Sequence, residues 1–169
     1  MKRFVIYTDG SFGDTGEVHG GVVFWADNKE DIKCIHVCST NEHFVSMRNV
    51  GGEVLAAYSA IMSIVQRIKK SNEDLLETYE LDLVFDYKGI GQWATGGWKT
   101  KKTATRWFAK NVNKLLKEVP NLKVNYIWVK GHGMSEGNNL ADRVSEYTMQ
   151  YCRRNNIPIC SLDEYIDLN

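Results

Sequence analysis

The spacing of apolar residues changes abruptly at Gly51-Gly52, and that change restricts the folds open to the chain. Before it, β-branched and apolar residues come in three short runs, Arg3 to Thr8, Gly21 to Ala26 and Cys34 to Ser39. Such runs predict strands, and the polar turn Asp27-Asn28-Lys29-Glu30-Asp31 is short enough to make its two neighbours antiparallel. After it, from Glu53 to Lys70, the residues Leu55, Tyr58, Ile61, Met62, Val65 and Ile68 recur at helical spacing and predict one long amphipathic helix. The two glycines stand where a turn with unusual dihedrals is easiest.

The remainder alternates between the two periods. Leu81 to Phe85 reads as a strand ending in Asp86, and Tyr87 to Ala94 as a short helix stopped by Gly96-Gly97. Thr100 to Glu118 is a long helix bounded by Pro120, Val124 to Val129 a strand, and Asn138 to Arg154 a last helix with Leu140, Val144, Tyr147 and Tyr151 on one face. The order βββαβααβα predicts an α/β fold: a five-stranded mixed sheet, with three antiparallel strands and then two parallel additions through helical crossovers. Its 169 residues suit one domain with a core of its own. Residues 1–154 are expected to form it, and 155–169 to be a C-terminal tail that packs on the domain or is mobile.

Charge narrows the function. Lys and Arg number 21 and Asp and Glu number 21, a net charge of +0, which excludes a protein basic over its whole surface. Any nucleic-acid role must rest on local charge, and the charges are segregated. Asn72 to Asp86 carries six acids and no base, whereas Tyr87 to Lys117 carries eight bases and no acid. The apolar run at the N-terminus is too short for a signal segment, and no stretch approaches the roughly 20 apolar residues that cross a bilayer, so a cytoplasmic protein is expected. Cys34, Cys38, Cys152 and Cys160 match neither a zinc knuckle nor a small disulfide framework, so reduced thiols are expected.

Four acids fall at informative places. Asp9 and Asp86 close apolar strands, Glu53 opens the first long helix, and Asp142 lies in the first turns of the last one. Singly, each reads as well as a turn cap or a helix N-terminal acid. Together, if neighbouring strands bring their ends close, the like charges require a cation, and oxygen-only ligands select Mg²⁺ or Mn²⁺ over zinc. His132 stands in a glycine-flanked loop, Lys130-Gly131-His132-Gly133, where a histidine by itself is more often a surface residue than a catalytic one.

These segments, in order, resemble type 1 ribonuclease H: Tyr7-Thr8-Asp9-Gly10-Ser11, Gly52-Glu53-Val54-Leu55-Ala56-Ala57, Asp86, Trp128-Val129-Lys130-Gly131-His132 and Asn138-Asn139-Leu140-Ala141-Asp142. The resemblance runs from Lys2 to about Arg154 and points to a bacterial or phage-like branch, without a separate hybrid-binding domain in this chain. It implies an endonuclease that cleaves the RNA strand of RNA/DNA hybrids, leaving 5′-phosphate and 3′-hydroxyl ends. By the same resemblance Asp9 bridges two Mg²⁺ ions, for which Mn²⁺ substitutes. Asp142 completes the site that activates water, Glu53 and Asp86 hold the ion at the leaving oxygen, and His132 assists proton transfer or product release. Substrate contacts are expected from Gly10, Ser11, Asn49, Lys88, Trp98, Lys99 and Asn138, and the molecule is expected to be a monomer with no obligate protein partner.

The chain departs from the family pattern in three places. Lys88 stands where many relatives carry a Gln, and Arg48-Asn49-Val50-Gly51-Gly52 precedes the Glu where many have two polar residues. Asn49 and the amides near Gly51 remain available to a 2′-hydroxyl. The basic protrusion of the best-known members is missing, since only Gly96-Gly97-Trp98 separates Thr95 from Lys99. Lys99 and Lys101 are expected to meet phosphates, and Lys110, Lys114 and Lys117 to lie on a solvated helix face. Three rivals fit less well. A 3′-5′ exonuclease usually opens with Asp-x-Glu, a non-catalytic binding module need not keep all four acids, and a junction resolvase needs a dimer face that nothing here advertises.

Overall fold

The computed structural model describes residues 1–13, 15–71 and 76–168. Of the acidic run from Asn72 to Asp86, Asn72, Glu73, Asp74 and Leu75 lie outside the described residues. The chain opens with β1 (Lys2–Phe12), β2 (Val18–Phe24) and β3 (Lys33–Ser39), a meander of antiparallel pairs. The one-turn helix α1 (Glu42–Val45) then leads into the long α2 (Asn49–Lys70). Next come β4 (Tyr79–Phe85), α3 (Gly89–Thr95), α4 (Thr103–Glu118) and β5 (Leu122–Trp128). The chain closes with α5 (Glu136–Glu146), α6 (Met149–Arg154) and β6 (Ile159–Ser161). The strands form one sheet in the order β5-β4-β1-β2-β3-β6, with β4 and β5 added in parallel, as the crossovers require.

Both faces of the sheet centre are covered. On one, α2 and α4 bury Ile6, Leu81, Leu83, Phe85, Ile61 and Phe108 in the main core. On the other, α5 sets Ala141 and Val144 against Val23, flanked by Tyr7 and Trp25. This second contact is a close one: a Cβ on Gly21 of β2 would sit 2.2 Å from the Ala141 carbonyl oxygen, so only glycine lets the helix backbone lie on the strand. Polar ties fix the same helix in place. The Ser11 hydroxyl donates to the Ser145 carbonyl (2.8 Å), and fully buried His36 bonds through Nδ1 to the Val144 carbonyl (2.8 Å).

Among the described residues the expected five strands are six. The segment after residue 154, read from the sequence as a tail, returns to the sheet, where β6 pairs in parallel with the outer edge of β3. Leu162 behind it is fully buried in the main core. Three residues are too few to display an alternating pattern, which is why the strand escapes periodicity. The expected last helix is two: Tyr147 is extended, and the Thr148 hydroxyl accepts from the Tyr151 N–H to begin α6. Also, β1 continues beyond Asp9, and α2 begins at Asn49, a turn ahead of Glu53.

Candidate active site

Strand register brings the first two acids together. β1 and β4 run in parallel with Tyr7 opposite Val84, and two residues further along each chain stand Asp9 and Asp86. Glu53 comes from the helix above. A Cβ on Gly10 would lie 2.2 Å from the Glu53 amide nitrogen, so α2 rests directly on β1 and delivers Glu53 to Asp9. Asp9, Glu53 and Asp86 each offer a carboxylate oxygen, and the three lie within 4.8 Å of one another.

Burial makes this cluster electrostatically expensive. Asp9 and Glu53 are each 5% exposed. The Asp9 carboxyl is pushed from an ordinary 3.8 up to about 6, first by burial; a hydrogen bond with Glu53 opposes the rise, and the charges of Asp86 and Asp142 add to it. The Gly10 N–H, 2.8 Å from Asp9 Oδ1, also favours the ionised form. Glu53 is held well above the usual carboxylate range, chiefly by burial and then by Asp9 and Asp86. Its Oε2 is buried with no hydrogen-bond partner among the described residues. Hard carboxylate oxygens that repel one another, one of them unsatisfied, are a donor set that fits a divalent cation.

Asp142 stands beside this triad rather than in it. From α5 its charge reaches Asp9, while its Oδ2 lies 4.0 Å from His132 Nδ1. His132 is exposed, on a backbone with φ 54°, in the loop between β5 and α5. The neighbouring Gly131 lies against Asp86, whose Oδ2 would be 3.0 Å from a Cβ there. That loop therefore borders the triad on the Asp86 side.

The expected substrate residues divide into two groups. Asn49, Lys88, Trp98 and Lys99 are exposed. Asn138 is 1% exposed, its Oδ1 without a partner among the described residues, and thus sits inside the protein. Gly10 and Ser11 have structural work, the first under α2 and the second bonded to Ser145. Of the three tryptophans among the bases, Trp107 is core, packed edge-on to Phe44 and Tyr58, whereas Trp98 is 41% exposed and meets Trp93 edge to face. Lys110, Lys114 and Lys117 are exposed on α4.

A cavity of about 370 Å³ lies at the start of α2, lined by Arg48, Tyr87, Trp93, Lys99, Lys101 and Lys102 among others. A second, of about 540 Å³, shares Trp93 and Lys99 and adds Trp98 and Asn113. Together they form a basic, aromatic groove. Two residues in or near the site escaped sequence reasoning, Arg48 in the groove and Trp128 beside Asp86. Arg48 carries the unusual dihedrals expected of Gly51-Gly52, with φ 53° and ψ −128°, while both glycines are helical. A side chain in such a region costs about 1–3 kcal/mol, and nothing in an Arg-Asn-Val run signals it. Trp128, 51% exposed at the end of the edge strand β5, donates its indole N–H to the Asp86 carbonyl (2.9 Å), with Lys88 Nζ 5.7 Å from its ring centre. Its place at the end of the last predicted strand was the available signal.

A family model described as RNase H matches residues 1–150. A ribonuclease H of Brucella anthropi is 32% identical over 161 residues, spanning 89% of this chain and 92% of its own length. One of Chromohalobacter salexigens is 30% identical over 156 residues, spanning 86% and 83%. Among solved structures, LC11-RNase H1, isolated from compost by a metagenomic approach, is 19% identical with a TM-score of 0.57, covering 92% of this chain and 99% of its own. The same protein in complex with an RNA/DNA hybrid is 21% identical with a TM-score of 0.58, covering 83% and 92%. The N-terminal RNase H domain of a Mycobacterium tuberculosis protein, solved as a fusion, is 18% identical with a TM-score of 0.56, covering 92% and 99%. At these identities the structural likenesses speak for the fold alone.

Proposed function

Since the chain belongs to the RNase H family and is a ribonuclease H, we propose that it hydrolyses the RNA strand of RNA/DNA hybrids endonucleolytically, by two-metal-ion catalysis, leaving 5′-phosphate and 3′-hydroxyl ends. The observation that carries this reading is the cluster of Asp9, Glu53 and Asp86 within 4.8 Å, beside a basic and aromatic groove. Two bound Mg²⁺ ions, or Mn²⁺ in their place, would supply activation of the attacking water and stabilisation of charge on the departing oxygen.

The residues of the chain supply the rest. Asp9, central among the acids, would help hold both ions; Asp142 would act with it on the water side, and Glu53 and Asp86 would serve the leaving-group side. His132, exposed and next to Asp142, moves a proton to the departing oxygen or helps product leave. Asn49 and the first amides of α2 read the 2′-hydroxyl that separates RNA from DNA. Lys88, Lys99 and Lys101 meet phosphates, and Trp98 packs on a sugar. The residues assigned to catalysis all lie within 1–154, in a sheet that β6 completes, and the protein works as a monomer in the cytoplasm. No helix among the described residues is long and apolar enough to cross a membrane.

The deciding assay incubates the protein with labelled RNA/DNA hybrid, RNA duplex and DNA duplex, each with Mg²⁺ or with chelator. Metal-dependent internal cuts in the RNA of the hybrid alone are expected. Trimming from DNA ends, or cutting that survives chelation, would overturn the proposal.

A further inference from the structure

The returning C-terminal segment grips the corner through which the chain enters the groove. Directly after fully buried Leu162, Asp163 faces the end of β3. Its Oδ1 accepts from the Ser39 hydroxyl (2.5 Å) and the Thr40 N–H (3.2 Å), and its Oδ2 from the Thr40 hydroxyl (2.8 Å) and, at 3.4 Å, the same N–H. Burial works against its ionisation, yet the donors from Ser39, Thr40 and Asn41 outweigh it and hold the carboxyl below the usual range.

The grip is passed on through short bonds. Ser39 Oγ accepts from the Asn41 N–H (3.0 Å), and Asn41 Oδ1 accepts from the His43 N–H (3.0 Å), capping α1. A helix of four residues does not hold its own shape, so its position comes from its ends and from packing. It carries fully buried Phe44, whose carbonyl oxygen presses on the first turn of α2, 2.1 Å from where a Cβ on Gly51 would be. Between the two helices stands Arg48 with φ 53°, its N–H on the Val45 carbonyl (3.0 Å) and its carbonyl accepting from Gly51 N–H (2.9 Å). A backbone in that region persists only where the surroundings over-determine it.

We infer that Asp163 is a positioning residue for substrate: through the Ser39–Asn41 corner and α1 it holds Arg48 and Asn49 in the geometry that receives the backbone of a nucleic-acid hybrid at the groove. The inference rests on the function proposed above, and it assigns to the C-terminal segment a share in binding that its distance from the acids conceals. The removal of Asp163 leaves the three clustered acids untouched, so its effect falls on KM rather than on kcat.

The test compares the full chain with Asp163→Ala, Asp163→Asn and Thr40→Val. It reads steady-state cleavage of a hybrid, direct binding of a fluorescent hybrid in chelator, and amide exchange. Asp163→Ala should raise KM and the binding Kd by about tenfold while kcat stays within about twofold, as a displaced contact does without altering the chemistry. Exchange should quicken over residues 43–52 and not in β4 or β5. Asp163→Asn should recover part of the loss, because its amide oxygen still accepts and the Thr40 hydroxyl can turn to accept from its NH₂. Thr40→Val, an exposed single-contact change, should fall between wild type and Asp163→Ala, and it decides the matter by the same KM-against-kcat split if Asp163→Ala does not fold. Unchanged KM and Kd in the variants, or a loss confined to apparent kcat that follows the folded fraction, overturns the clasp while the proposed function stands. Wild-type protein that binds no hybrid overturns both.

Discussion

Asp9 is held in a setting that opposes its own ionisation, and the sign of that opposition is measurable. The unfolded chain holds this carboxyl near the ordinary 3.8 and the folded chain at about 6, so between those values the folded state binds more protons. Without metal, the Asp9 contribution therefore favours the fold at low pH and fades as pH rises through that window. Above it, the ionised group weighs against folding by about 1–3 kcal/mol. Asp9→Asn should consequently make the metal-free protein more stable than wild type above about pH 6 and no different below about pH 4, in urea melts across pH. The same substitution should lower metal-dependent cleavage by about a thousandfold or more, since a neutral amide would replace the carboxylate proposed to hold metal. Near-normal turnover would sink the assignment of Asp9, and unchanged stability would sink the account of its strain.

Among the elements, α5 is the one whose seating decides the fourth acid. Its backbone touches Gly21 of β2, its carbonyls accept from Ser11 and bond His36, and Asp142 projects from its middle. Gly21→Ala introduces a Cβ where the Ala141 oxygen already stands, with backbone on both sides and no flexible side chain to yield. The helix must shift. The expected cost is about 1–3 kcal/mol of stability, together with a fall in turnover per folded molecule, because Asp142 moves relative to the triad while Asp9, Glu53 and Asp86 do not. Calorimetry with active-site titration separates the two losses, and turnover that tracks only the folded fraction would show that the seating of α5 is immaterial to catalysis. The elements were legible in the sequence wherever a single face repeated: α2, α4 and the first five strands follow their predicted runs to within a few residues. Legibility failed at α1, α6 and β6, which have four, six and three residues, shorter than the repeat needed to reveal a period.

At the scale of the molecule, a net charge of +0 conceals two surfaces. On one, Arg3 is engaged by Glu80 and Asp82, and Asn125 bonds both acids. On the other, Arg48, Lys99, Lys101 and Lys102 line the groove. Hybrid binding should weaken steeply as salt rises, and Lys99→Ala and Lys101→Ala should each reduce the slope of log K against log salt by about one. Lys114→Ala and Lys117→Ala, at α4 residues that line neither of the two cavities, should leave it unchanged. A flat salt response would remove the groove from the interface.

The four acids, the Lys130-Gly131-His132 loop and the alternation of periods were readable because each is a local property: a residue type at the end of a run, or a face repeated along it. From them came the mixed sheet and its crossovers; the meeting of Asp9 with Asp86 was conditional on their strands being neighbours, and the pairing of β1 with β4 supplied that condition. Other features depend on segments far apart in the chain: Trp107 in the core and Trp98 outside it, Arg48 rather than a glycine taking the positive φ, Asn138 inside, and the last residues closing the sheet edge and gripping Ser39 and Thr40. These were settled by tertiary packing, because burial, backbone strain and hydrogen bonds between residues more than a hundred apart are set by how elements fit together, and no local pattern encodes that fit.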